Sequence, residues 1–154
     1  MEAPILYHRI KEQYRRLLTK DVLAEGDDQI CRLLLALLSI IQGSSSWQVV
    51  YIASPYSNGD KEANVRRQID VANELLDRGY IPIVPLLSHY WHMQTQQHYL
   101  VWMLIDLVLI VKAADYVLRL DGESDGADLE VFVASMRGIP IVHSLEELEG
   151  QRGR

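Results

Sequence analysis

Short apolar runs alternate with longer helical ones along most of this chain, and that alternation constrains its fold more than any single motif. Trp47–Ser54, Tyr80–Val84, Tyr116–Leu120 and Ile139–Val142 are rich in β-branched and aromatic residues and are bounded by Gly, Pro or polar residues, so each reads as a strand. Pro82 makes the second of them short or peripheral. Between them, Val65, Ile69, Ala72, Leu75 and Leu76 share one face of a helix over residues 61–78, with Gly79 as its stop. Further helices are predicted over residues 97–113 and 127–137, and a final turn or two over 145–149. Residues 85–97 read as an irregular stretch, and Gly150–Arg154 as a loose tail. Strand alternating with helix implies a parallel sheet covered on both faces, with right-handed crossovers. Ligands of such sheets bind at the C-terminal strand ends. Three loops converge there: Ser54–Asp60, Leu86–His92 and Asp121–Asp128.

Residues 1–46 do not fit that rhythm and read as an N-terminal helical extension, leaving an α/β domain over 47–150. Gly43-Ser44-Ser45-Ser46 is the boundary. Within the extension, residues 28–42 are apolar on nearly every face, which calls for burial on several sides, against the main domain or a second subunit. Cys31 lies among these apolar residues and reads as a small core side chain. The N-terminus lacks the layout of a signal peptide, and no apolar run reaches the roughly 18 residues of a membrane span. A soluble cytoplasmic protein without membrane association is the expectation. With 154 residues and a net charge of −6, the chain has a sizeable core but no basic surface suited to nucleic acid.

The chemistry concentrates in Leu118–Ala134, where an apolar run ends in a loop of Gly and carboxylates and a helix follows with Glu130 near its start. Such a turn exposes backbone N–H groups at a helix N-terminus. Ser124 offers a hydroxyl there, and Gly126 permits close approach of the backbone. Asp121, Glu123, Asp125 and Asp128 crowd the same loop, either as a solvated surface or as a cation site, although their spacing fails the EF-hand pattern. Asp106 interrupts a long apolar helix, which is costly unless the carboxylate is paired or protonated. It is either a structural ion pair or hydrogen bond, or an acid that divides labour with Glu130 in breaking a glycosidic bond. His89, His92 and His98 lack the Cys neighbours or HExxH spacing of a zinc site, and polar packing or substrate contact suits them better. Walker A, GxGxxG and GxSxG patterns are absent.

Taken in order, these residues resemble the nucleoside 2-deoxyribosyltransferase-like superfamily, which includes deoxyribosyltransferases, nucleotide N-glycosidases and an uncharacterised branch to which the pattern is closest. The similarity runs from about Val49 to Glu147. Tyr51-Ile52-Ala53-Ser54-Pro55-Tyr56-Ser57 looks like the first-strand motif. Asn64, Ala72, Leu75, Gly79, Pro82 and Pro85 look like the following helix and second strand. Asp106 looks like the helix aspartate, Ala114-Asp115 like the opening of the third strand, and Ser124-x-Gly126-x-x-x-Glu130-x-x-x-Ala134 like the catalytic signature.

The resemblance implies a flavodoxin-like three-layer α/β/α sandwich with strand order 2-1-3-4 and, in many members, a fifth strand. It implies Glu130 as a nucleophile at C1′ of a (deoxy)ribosyl group, Asp106 as its catalytic partner, and Tyr56, Ser54, His89, Ser124 and Gly126 as substrate contacts. The ligand would be a nucleoside or nucleotide, with no metal or redox cofactor. Homodimers or higher homo-oligomers are common among such proteins. Cleavage of a nicotinamide–ribose bond and a nucleotide-binding sensor without turnover are the other expectations this pattern permits.

Overall fold

The computed structural model describes residues 47–151. The N-terminal extension, Cys31 and the apolar segment 28–42 lie outside the described residues, as do residues 152–154. Four parallel strands form one sheet in the order β2-β1-β3-β4, where β1 is Val49–Ala53, β2 Ile81–Ile83, β3 Tyr116–Arg119 and β4 Ile141–Val142. Helices α1 (Lys61–Asp77), α2 (Ser88–Gln94), α3 (Tyr99–Ala113), α4 (Asp125–Met136) and α5 (Leu145–Gln151) connect and follow them. The α/β sandwich and the 2-1-3-4 order therefore hold, and among the described residues the sheet has four strands, not five.

Because successive strand residues point to opposite faces, the central strands sort their side chains into two cores. Val50 and Ile52 of β1 and Leu118 of β3 pack with Ala72 and Leu75 of α1 and Leu148 of α5. Tyr51 and Ala53 of β1 and Val117 of β3 pack with Ile110 of α3 and Ala127 and Ala134 of α4. Tyr51 to Ala53 are fully buried, as expected of a strand covered on both sides. The edge position of β2 accommodates Pro82, which is paired in register with Val50. Asp115 closes the lower end of the sheet: its carboxylate accepts from the Val49 amide at 2.7 Å, and its own amide donates to the Val49 carbonyl at 2.8 Å.

Helix boundaries follow their caps. The Asp60 carboxylate accepts from the amides of Glu62 and Ala63 and starts α1, and Gly79, at φ +80°, follows the Arg78 cap at its end. Three expectations need correction. Residues 85–97 are largely helical, with a 3₁₀ turn at Pro85–Leu87 followed by α2. Helix α2 buries none of its residues, so it has no apolar periodicity to betray it. It is held by side-chain contacts instead: Trp91 and His92 meet Trp102 of α3 edge-on, with ring centroids 5.1 and 5.8 Å apart. Helix α4 begins at Asp125, two residues earlier than its apolar spacing suggests, because Ser124 caps it. Gly150 and Gln151 belong to α5 and not to a loose tail.

One interior polar residue ties the strand ends together. Gln68 of α1 is fully buried. Its Nε2 donates to the Ile52 carbonyl at 2.9 Å and to Ser54 Oγ at 2.8 Å, and its Oε1 accepts from the Leu86 amide at 2.9 Å. The loops after β1 and β2 are thus fixed to the same side chain. The loop after β3 is fixed to the β1 loop by contact: Gly122 has φ +119°, and a Cβ there would lie 2.8 Å from Pro55 Cγ. Gly122→Ala therefore meets both backbone strain and a ring. We expect it to cost about 2 kcal/mol of unfolding free energy, measured by urea denaturation.

Candidate active site

The three loops enclose a cleft of about 640 Å³ at the C-terminal ends of β1, β2 and β3. This is where an open parallel sheet holds its ligands. All seven residues singled out from the sequence, Ser54, Tyr56, His89, Asp106, Ser124, Gly126 and Glu130, line this one space.

Glu130 is its most unusual group. It projects from the second turn of α4 and is only 6 % exposed. The Tyr51 hydroxyl, itself buried in the core, donates to Glu130 Oε1 at 2.9 Å. Burial and then the nearby charge of Asp106 raise the Glu130 pKa to about 8, against smaller opposing effects of the Tyr51 hydrogen bond and the Arg119 charge. Asp106, on α3, is raised to about 6 by burial. Asp106 therefore ionises first. Its negative charge acts on Glu130, whereas the still-protonated Glu130 exerts no charge on Asp106. At neutral pH the two carboxyl groups hold about one proton between them, carried mainly by Glu130 in the empty site.

Opposite them, the Tyr56 hydroxyl and His89 Nδ1 are 2.8 Å apart, and Lys61 Nζ lies 5.2 Å from the Tyr56 ring centroid. Asn64 holds this loop by donating to the carbonyls of Tyr56 at 3.0 Å and Asn58 at 2.9 Å. The other histidines have separate duties. His98 Nδ1 accepts from the Leu100 amide at the start of α3, and His92 Nδ1 accepts from Trp102 Nε1 at 3.0 Å. Among the described residues no group of three or more His, Cys, Asp or Glu side chains is arranged to hold a metal ion.

The acidic loop is braced as well as charged. Arg119, at the end of β3, reaches Asp128 Oδ1 at 2.9 Å and the Gly122 carbonyl at 2.7 Å, and also donates to the Leu120 carbonyl. Arg67 Nη1 donates to the Asp121 carbonyl at 2.9 Å. Asp125 and Asp128 occupy the first turn of α4, where carboxylates complement the helix dipole. Ser124 and Gly126 differ in detail from expectation. Ser124 Oγ accepts from the Ala127 amide at 3.2 Å, so it is a helix cap as well as a cleft residue. Gly126 lies inside the helix, and the atom that comes close to it is the hydroxyl of Tyr99, 2.9 Å from where a Cβ would stand.

Sequence reasoning passed over three residues that shape the cleft. Tyr51 enters the sequence reading only as part of the first-strand motif, with no role of its own; the signal is that a buried phenol needs a hydrogen-bond partner. Gln68 is a polar residue on the apolar face defined by Val65, Ala72 and Leu75, which marks it as a buried connector. Tyr99 carries no sequence signal, since only the close passage of α3 and α4 sets it over Gly126.

The raised carboxyls have a thermodynamic consequence. Glu130 shifts upward from its ordinary 4.5 and Asp106 from 3.8, so over that interval the folded chain binds more protons than the unfolded one. Their contribution to stability is complete below the unfolded values and is lost as pH rises through about 6 and then about 8. Stability should fall from pH 5 to pH 9, and Glu130→Gln should flatten the upper part of that decline. Denaturation midpoints across this pH range check both.

No curated protein and no solved structure matches the chain. A family model described as a domain of unknown function (DUF7768) matches residues 48–144, a span from the start of β1 through β4 that includes the whole cleft, and the chain belongs to that family.

Proposed function

We propose that this protein cleaves, or transfers across, the N-glycosidic bond of a nucleoside or nucleoside 5′-monophosphate, with Glu130 as the nucleophile. What carries this reading is the placement of two carboxyls in one cleft, Glu130 buried and Asp106 partly buried, where burial raises the pKa of the first toward about 8 and of the second toward about 6. Groups whose surroundings divide them in this way suit a division of acid and nucleophile roles. The resemblance to nucleoside 2-deoxyribosyltransferase-like proteins supports the same assignment.

The pair works with its single proton. When that proton is on Asp106, Glu130 is the carboxylate, and Tyr51 occupies its Oε1 and leaves Oε2 to attack. Glu130 Oε2 forms a bond to C1′ as the C1′–N bond breaks. The departing base takes the bonding electron pair and the Asp106 proton. Asp106, now ionised, removes a proton from water, the hydroxide adds to C1′, and Glu130 leaves as a carboxylate. An acceptor base in place of water gives transfer. Tyr51 orients Glu130 and, as a hydrogen-bond donor, lowers its pKa. The aromatic and polar wall of Tyr56, His89 and Trp102 suits a planar base.

Purified protein incubated with a panel of nucleosides and monophosphates, with and without acceptor base, tests this. Wild type should release free base, and Glu130→Ala should lower release by at least about three orders of magnitude. No turnover across the panel would refute the reading. The proton count gives an independent check. Below pH 6 both carboxyls are protonated and the nucleophile is lost; above pH 8 both are ionised and the acid is lost. The profile of kcat/KM should therefore be a bell centred near pH 7. A rate that climbs without limit above pH 8 would remove Asp106 from the acid role.

A further inference from the structure

We propose that the cleft selects unphosphorylated nucleosides, with Tyr99 and the acidic first turn of α4 excluding a 5′-phosphate. This deepens the glycosidase reading above and rests on it. The position a phosphate would take beside a helix start is the first turn of α4, and part of that turn's hydrogen-bonding capacity is already used. Ser124 Oγ takes the Ala127 amide, and the Ser124 carbonyl takes the Asp128 amide at 2.9 Å. Beside Gly126, the Tyr99 hydroxyl lies 2.9 Å and Met103 Sδ 3.6 Å from where a Cβ would stand. A phosphate seated against that side of the turn would meet the phenol.

Charge acts in the same direction. Glu123, Asp125 and Asp106 line the cleft, against Lys61 as the single lysine or arginine lining it among the described residues. The two arginines that hydrogen-bond to the loop do not line the cleft. Arg119 is engaged with Asp128 and the Gly122 carbonyl, and Arg67 with the Asp121 carbonyl. A dianionic phosphate would meet carboxylates with one cation to offset them.

A neutral 5′-hydroxyl suits the same surroundings, since it can donate to a carboxylate and accept from a phenol. Tyr99 stays such a donor. Partial burial, followed by the charges of Glu130, Asp106 and Asp125, raises its pKa and keeps the hydroxyl protonated.

The test uses the full-length protein and matched pairs of nucleoside and 5′-monophosphate bearing the same base and sugar. Turnover is followed in wild type, and binding by calorimetry in Glu130→Ala. Wild type should favour the nucleoside in kcat/KM, and Glu130→Ala should favour it in affinity, each by at least about tenfold. Tyr99→Ala and Asp125→Asn should each narrow that ratio. A purely structural role for Tyr99 would weaken both members of a pair alike and leave the ratio fixed, which would overturn its part in selection. Equal or tighter handling of the monophosphate by wild type would overturn the inference itself. Nucleoside-selective binding without turnover of any pair would instead sink the glycosidase reading and leave the selectivity standing.

Discussion

The hydrogen bond from Tyr51 to Glu130 joins the core of this protein to its cleft. Tyr51 sits mid-strand in β1, the strand paired on both sides within the sheet, and has no exposed surface. Its ring packs with α3 and α4, and its hydroxyl needs a partner in that dry interior. Glu130 supplies one, and in doing so the carboxyl is drawn out of water. The hydrogen bond that satisfies a core phenol thus also holds a cleft carboxyl in the burial that raises its pKa, while itself opposing part of that rise. Moving α4 relative to β1 would cost the hydrogen bond, the packing of Ala127 and Ala134, and the position of Glu130 together.

The rest of the cleft is built by similar economy. Gln68 satisfies three backbone and side-chain groups at once and so fixes the loops after β1 and β2. Gly122 against Pro55 brings the third loop onto the first. The acidic loop keeps its shape because Arg119 and Arg67 hold its carbonyls, even as its carboxylates leave the cleft predominantly negative. A loop that opens a helix, where backbone N–H groups favour anions, thus carries the opposite electrostatic character. Ser124 caps the helix that follows, and Tyr99 of α3 comes close to Gly126 on the same turn.

The sequence by itself determined the fold class, the strand order implied by the resemblance, and the membership of the cleft. Periodicity changes from that of a helix to that of a buried strand and back, and local chemistry such as Asp60, Gly79 and Pro82 marks the element ends. All seven candidate residues share the cleft because parallel topology brings every strand's C-terminal end to the same edge. Tertiary structure alone decided how each of them is held. Helix α2 has no buried face and takes its shape from aromatic contacts with Trp102, so no pattern in the chain announces it. Tyr51 matters through a partner 79 positions away, Gln68 through partners 14, 16 and 18 positions away, and Tyr99 through one 27 positions away. The separation of the Asp106 and Glu130 pKa values arises from burial of both and from the charge of Asp106 on Glu130, and both depend on how closely α3 and α4 pack on β1.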